Sequence, residues 1–214
     1  MPFPNFTAAE LYADGIVHTL AMIASAVAVT LLLALTAGEI SGSMTVALSI
    51  YGGGLFAMFA CSAIYNLTPW HGAKGLLRRF DQAAIFLMIA GTYTPLVVLM
   101  DTMLAYFILA VVWSGALAGV VSKLFFAGEY RRWDPALYLG LSWCGVVLIG
   151  QMLLVLPVLV TTMIFIGGLC YSVGVVFHVW ESLKFHNVVW HSFVLAGAIC
   201  HFIAVAHGTA WSIV

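Results

Sequence analysis

The sequence predicts an all-α integral membrane protein: one domain over residues 1–214, in which seven helices cross the bilayer with the N-terminus cytoplasmic and the C-terminus outside. Composition is the first ground. Only 15 of 214 residues are charged (7%), 64% are hydrophobic, and mean hydropathy is +1.13. Soluble proteins carry roughly 25% charge, and water could not be the solvent for so much apolar surface. The second ground is the spacing of the charges, which bracket runs long enough to cross a bilayer. The third is the placement of the basic residues, which fall in alternate connections.

A spanning helix needs about 20 apolar residues. Between Asp14 and Glu39 lie 24 uncharged residues, which places the first helix near 16–38. Ahead of it, Thr7-Ala8-Ala9-Glu10 is a capping-box pattern expected to start a short amphipathic cytoplasmic segment over about 1–15. With no basic residue before the apolar stretch and no short cleavage pattern after it, the segment does not read as a cleavable signal peptide. The sequon Asn5-Phe6-Thr7 would lie on the cytoplasmic side, where it has no meaning. Glu39 to Lys74 encloses 34 residues, for a helix near 44–66. Asp81 to Asp101 encloses 19, for a helix near 81–100 in which Pro95 is expected to make a kink and free the carbonyl of Gly91. Asp101 to Lys123 encloses 21, for 102–123. The 46 residues between Asp134 and Glu181 hold two helices, divided at Pro157 into 135–156 and 158–180. The 30 residues after Lys184 carry no charge and hold the last helix, near 189–211.

Lys74, Arg78 and Arg79 fall between helices two and three, Lys123, Arg131 and Arg132 between four and five, and Lys184 between six and seven. All seven basic residues thus share one side, which the positive-inside rule makes cytoplasmic. A net charge of −1 gives no basic stripe for nucleic acid. Helix seven has no lysine for a retinal Schiff base, which excludes a retinal protein. Cys61, Cys144, Cys170 and Cys200 all fall inside helices and read as packing residues rather than disulfides or metal ligands. Gly52-Gly53-Gly54 and Ala196-Gly197-Ala198 are expected to let helices approach closely.

The informative residues are polar ones that a bilayer penalises. Ser62 and Asn66 stand one turn apart at the cytoplasmic end of helix two, and Asp81 and Gln82 open helix three. Asn187 and His191, again at i and i+4, open helix seven. These six are expected to line one polar cavity. Glu10, Asp14 and His18 form an i, i+4, i+8 stripe into helix one. His178 and His186 read as interfacial, His201 and His207 as satisfied interior or interfacial residues, and His71 as a solvated loop residue beside Trp70. Interfacial helix ends tolerate polar residues without any function, so spacing alone leaves the cluster open between structural and functional roles.

Three stretches then carry a resemblance: Cys61-Ser62-Ala63-Ile64-Tyr65-Asn66, the block from Arg79-Phe80-Asp81-Gln82 through Gly91-Thr92-Tyr93-Thr94-Pro95, and Trp190-His191-Ser192-Phe193-Val194-Leu195-Ala196-Gly197 with His201-Phe202. In these the sequence resembles the hemolysin III family, bacterial relatives of the progestin and adipoQ receptors and so of the adiponectin receptors. The wider superfamily, alkaline ceramidases included, is similar in having Ser-x3-His on helix two, an Asp on helix three and His-x3-His on helix seven. There, three histidines hold zinc and an activated water hydrolyses a lipid amide or ester. Ser62, Asp81 and His191 match that pattern, but Asn66 and Asn187 stand where two of the histidines should be, and Gln82 replaces a histidine that often follows the aspartate. A carboxamide oxygen is a weak zinc ligand.

The sequence therefore leads to a non-catalytic inner-membrane protein of this family, contributing to membrane homeostasis or acting as a channel- or transport-like protein. Membrane lipids are the expected partners, a homo-oligomer is left open, and no cofactor is assigned. The alternative is a zinc-dependent intramembrane hydrolase of amide- or ester-linked lipids, degenerate in its ligands. In it His191 would be the surviving metal ligand beside Asn66 and Asn187, with Ser62 and Asp81 the candidate catalytic residues.

Overall fold

The computed structural model describes residues 6–69, 71–126 and 134–213, apart from the side chains of His71 and Trp211. Asn5 of the sequon, Trp70, and Arg131 and Arg132 of the basic set lie outside the described residues. The described chain is helical and has no strand. Helix α1 runs Ala8–Thr36, α2 Gly42–Leu67, α3 His71–Met100, α4 Met103–Phe125, α5 Asp134–Trp143, α6 Ile149–Val155, α7 Val158–Val179 and α8 His186–Trp211. A 3-10 turn, Cys144–Leu148, joins α5 to α6, and the three together form one span, Asp134–Val155. Seven helices are thus long and apolar enough to cross a membrane.

Element ends differ from expectation in ways that local chemistry explains. Thr7 caps α1 as a capping box: its Oγ1 accepts from Glu10 N at 3.3 Å, and Glu10 Oε2 accepts from Thr7 N at 2.8 Å. The helix then continues unbroken into the first span, so residues 8–15 are part of that span's helix and not a separate segment. Helix α3 begins about ten residues before the expected 81, which makes the Lys74–Arg79 stretch helical and places His71 in a first helical turn rather than a loop. Lys74 uses that position to close α2, donating from Nζ to the carbonyls of Tyr65 (2.8 Å) and Asn66 (3.3 Å) in the last turn of that helix. Helix α3 passes through Pro95 without interruption.

The break in the fifth span was invisible in the sequence. Tyr93 of α3 inserts its hydroxyl into the ladder of that span, donating to Ser142 O at 2.6 Å and accepting from Gly145 N at 2.6 Å. A side chain that occupies ladder groups forces the tighter 3-10 turn. Gly145 is required there, since a Cβ would lie 2.8 Å from the Tyr93 hydroxyl oxygen. Pro157 separates α6 from α7 as expected.

Helix α3 is the centre of the bundle: 67% of its most apolar stretch is buried, against 11% for the fifth span. It packs on α2 and α4, α1 packs on α2 and α8, and α7 packs on α8. The α7–α8 contact is close because Gly167 and Gly197 face each other. A Cβ on either would lie about 3.0–3.1 Å from the other's carbonyl oxygen. In the other expected glycine cluster, Gly54 packs on the α3 backbone at Met88 and Gly52 on Val29 of α1, while Gly53 faces open space. The outer faces carry Leu20, Val27, Leu31, Phe107, Leu154 and similar exposed apolar side chains, as a lipid-facing surface should. The four cysteines are free.

Candidate functional site

The start of α1, the end of α2, and the starts of α3 and α8 meet at the end of the bundle that carries Lys74, Arg78 and Lys184. Each polar side chain there is placed by helical periodicity. Asp14 and His18 are i, i+4 on α1, Ser62 and Asn66 on α2, and Asn187 and His191 on α8. Glu10, one turn before Asp14, fixes the register of α8 against α1. Its Oε1 accepts from the N–H of Phe185, whose φ of 60° puts the residue ahead of α8 in the left-handed region.

The centre of the network is Asp14, whose side chain is 5% exposed. Its Oδ1 accepts from His191 Nδ1 at 2.6 Å, and its Oδ2 accepts from Asn187 Nδ2 at 3.3 Å. His18, 2% exposed, donates from Nδ1 to the main-chain carbonyl of Asp14 at 2.9 Å. Because both Nδ1 atoms serve as donors, both Nε2 atoms are left with lone pairs when the rings are neutral. Both turn to one hydroxyl: Ser62 Oγ lies 3.1 Å from His18 Nε2 and 3.5 Å from His191 Nε2. The two rings meet edge to face, centroids 4.4 Å apart. Asn66 Nδ2 donates to Ser62 O (2.9 Å) and Oγ (3.3 Å), and Asn66 Oδ1 accepts from Asn187 Nδ2 at 3.3 Å. A hydroxyl has one proton, so it can satisfy only one of the two imidazole lone pairs.

All six residues expected at a polar cavity line one cavity of about 510 Å³: Ser62, Asn66, Asp81, Gln82, Asn187 and His191. Asp81 and Ser62 share one wall of this cavity. His18, His178 and His186 share the lining. His186, the first residue of α8, is buried, 8% exposed, and packs against Phe6. His201 is an interior histidine bonded to Ile164 O at 3.2 Å, and His207 is exposed. Asp14 and His18 were the residues left out of the expected cavity set. The i, i+4, i+8 spacing with Glu10 was the available signal, and it lacked only the knowledge that α1 packs between α2 and α8.

A second, apolar slot of about 150 Å³ opens beside the cavity among α3, the fifth span, α7 and α8. Met58, Ile85, Tyr138, Tyr171, Val175 and Trp190 line both, so the two spaces adjoin. The Tyr171 hydroxyl stands at this junction, buried and without a hydrogen-bond partner among the described residues.

Seven apolar helices around a buried acid–imidazole–amide network define a polytopic membrane protein with an intramembrane polar site. The family model "Haemolysin-III related" matches residues 8–202, and the chain belongs to that family. It is 32% identical over 202 residues to a hemolysin-3 homolog of Bacillus subtilis, covering 94% of each chain. It is 31% identical to hemolysin-3 of Bacillus cereus, covering 92% of this chain and 90% of that one. A more distant likeness, 27% over 174 residues, is to the human monocyte to macrophage differentiation factor, covering 73% of this chain and 67% of that protein. With its family membership and its seven spans, the protein is an integral membrane protein.

The zinc that the wider superfamily implies can be tested against these side chains. The positions at 66, 187 and 191 supply one imidazole and two carboxamides. Helix α1 adds donors, since ligand atoms of Asp14, His18 and His191 lie within 4.8 Å of one another. The shortest of these contacts, Asp14 Oδ1 to His191 Nδ1 at 2.6 Å, is a hydrogen bond that occupies both atoms. That leaves two imidazole nitrogens facing a hydroxyl, where a zinc site uses three or four strong donors. The arrangement as built does not fit the superfamily's three-histidine zinc site.

Proposed function

We propose that the protein binds a membrane lipid, with the headgroup in the polar cavity and an acyl chain in the adjoining slot, as part of membrane homeostasis. The observation that carries this is that the two spaces adjoin, sharing the wall that Tyr171 belongs to. A volume near 510 Å³ is that of a small-molecule site, apolar walls with a few convergent polar groups being the usual pattern. Ion conduction is less well supported, because the slot beyond the junction is walled by Met88, Ile89, Leu96, Leu148, Ile149 and Met152. Following the basic residues in the first turns of α3 and in the α7–α8 connection, the polar cavity faces the cytoplasm. Native mass spectrometry of protein purified in mild detergent tests the reading: about one retained phospholipid per chain is expected. Gly168→Leu fills the slot wall and should lower retention roughly tenfold, since about 1.4 kcal/mol is a tenfold change in affinity. A chain that never carries lipid overturns the reading.

A second reading, a metal-dependent lipid hydrolase, would draw its donors from Asp14, His18 and His191 and requires the Asp14–His191 hydrogen bond to give way to the metal. Elemental mass spectrometry of protein prepared without a nickel column decides it. One zinc per chain, lost in His191→Ala, would establish that reading, and no metal in either would retire it.

A further inference from the structure

We propose that Ser62, His191 and Asp14 form a metal-free nucleophile–base–carboxylate triad that cleaves the acyl ester of a bound membrane lipid. The proposal rests on the lipid-binding reading above and goes beyond it in assigning chemistry to the site. It begins from the imidazole of His191, whose tautomer is settled by its partner. The Nδ1–H donates to the Asp14 carboxylate at 2.6 Å, so in the neutral ring Nε2 presents its lone pair to Ser62 Oγ at 3.5 Å. Nucleophile–base contacts are often this long before substrate arrives, and they shorten in the reacting complex. Asp14 is not part of the cavity wall, whereas Ser62 and His191 are. The acid is therefore a positioning residue: it orients His191 and stabilises the imidazolium without meeting substrate.

The neighbours fit the same chemistry. Asn66 Nδ2 stands 3.3 Å from Ser62 Oγ, a donor beside the nucleophile, where it can turn to the carbonyl oxygen of an ester under attack. A carboxamide suits that task and is poorly suited to hold a metal. His18 approaches the same hydroxyl at 3.1 Å, but its Nδ1 is bonded to a main-chain carbonyl at 2.9 Å, with the Asp14 carboxylate farther off at 3.5 Å. It holds the hydroxyl in place, while His191 has the carboxylate that a general base uses. The apolar slot next to Ser62's cavity identifies the acyl side of the substrate, and the unpartnered Tyr171 hydroxyl at the junction offers a donor to a lipid oxygen.

The steps balance without a metal or redox partner. Ser62 Oγ attacks the acyl carbonyl carbon, its proton passes to His191 Nε2, and the carbonyl electron pair moves to oxygen beside Asn66. Collapse breaks the bond from that carbon to the alcohol oxygen. His191 returns the proton to the leaving alkoxide, and the lipid alcohol departs from an acyl-Ser62 ester. Water attacks this ester, giving its proton to His191, which restores the Ser62 hydroxyl as the fatty acid leaves.

The test uses the full chain in nanodiscs of phosphatidylglycerol and phosphatidylethanolamine, treated with an alkyl fluorophosphonate and read by peptide mass spectrometry. The expected result is phosphonylation of Ser62, absent in Ser62→Ala and insensitive to EDTA. The rate per folded protein should fall about 100-fold or more in Asp14→Asn and His191→Gln. Asp14→Glu should recover part of it, which a purely structural loss would not. If the variants fail to fold, the wild-type arms still decide. Bound lipid with no Ser62 labelling overturns the triad and leaves the lipid-binding reading. Fatty-acid release without labelling, abolished by EDTA, overturns it in favour of a metal. Ser62 labelling in a chain that retains no lipid overturns the lipid-binding reading while supporting the triad.

Discussion

The bond between Asp14 and His191 joins the first and last helices of the chain, and its strength can be measured directly. Asp14 is 5% and His191 11% exposed in their side chains, and their atoms stand 2.6 Å apart. Hydrogen bonds to a charged group contribute about 1.5–3 kcal/mol, and those at short distances in dry surroundings lie at the upper part of that range. A buried carboxylate also costs desolvation, which neutralising it would return. Asp14→Asn alone therefore mixes two effects. The asparagine keeps one acceptor but must aim its NH2 at either His191 Nδ1–H or the Asn187 amide, a donor against a donor.

A double-mutant cycle separates these contributions. With Asp14→Asn, His191→Gln and the pair, the coupling energy should be about 2.5–3 kcal/mol, the upper part of the range for a charged hydrogen bond. The assay is reversible unfolding of the protein in mixed micelles, followed by far-ultraviolet circular dichroism. A parallel cycle on Asn66 and Asn187, whose amides meet at 3.3 Å, should give only about 1 kcal/mol, as expected of a neutral bond. A coupling below about 0.5 kcal/mol for the charged pair would refute the reasoning. It would mean that Asp14 and His191 are each solvated independently, and that α1 is not tied to α8 through the site.

Removing the hydroxyl in Tyr93→Phe leaves Gly145 N and Ser142 O without their present partner, at a cost of about 1–3 kcal/mol, with faster hydrogen exchange confined to residues 142–146. Lys123 and Asp134 form a buried ion pair between α4 and α5, so Lys123→Met alone should destabilise by about 3–5 kcal/mol. Lys123→Met with Asp134→Leu should recover most of that loss in the same unfolding assay, because no unpaired charge remains. Asn66→His with Asn187→His places three imidazoles around residue 191 and should convert a chain with little affinity for zinc into one that retains about one ion in elemental analysis.

The seven spans were legible because the bilayer writes the period of the charges directly into the chain, and the break at Pro157 followed from one missing N–H. What the sequence could not show were features that depend on one helix meeting another. The 3-10 turn in the fifth span is made by Tyr93, some fifty positions away, and nothing in Cys144–Leu148 announces it. The early start of α3 escaped notice because Lys74, Arg78 and Arg79 look like a solvated connection. Yet a basic residue placed just after a helix end can close that end while belonging to the next helix, as Lys74 does.

The candidate site shows the same division more sharply. Six of its residues could be grouped from the depth at which each helix places them, because depth is a property of a single helix. Asp14 and His18 lie at that depth too, and the stripe they form with Glu10 was visible. Which face α1 turns inward is decided by what α2 and α8 offer it, and Ser62 and His191 are what meet it there. Asparagine at 66 and 187 then has a physical consequence of its own. Carboxamides bring N–H donors, and these donors are spent on Ser62 and Asp14, the two ends of the chain of bonds that runs through His191. An arrangement that positions donors at both ends of a serine–histidine–aspartate series is organised around protons, and the asparagines belong to it as much as the acid does.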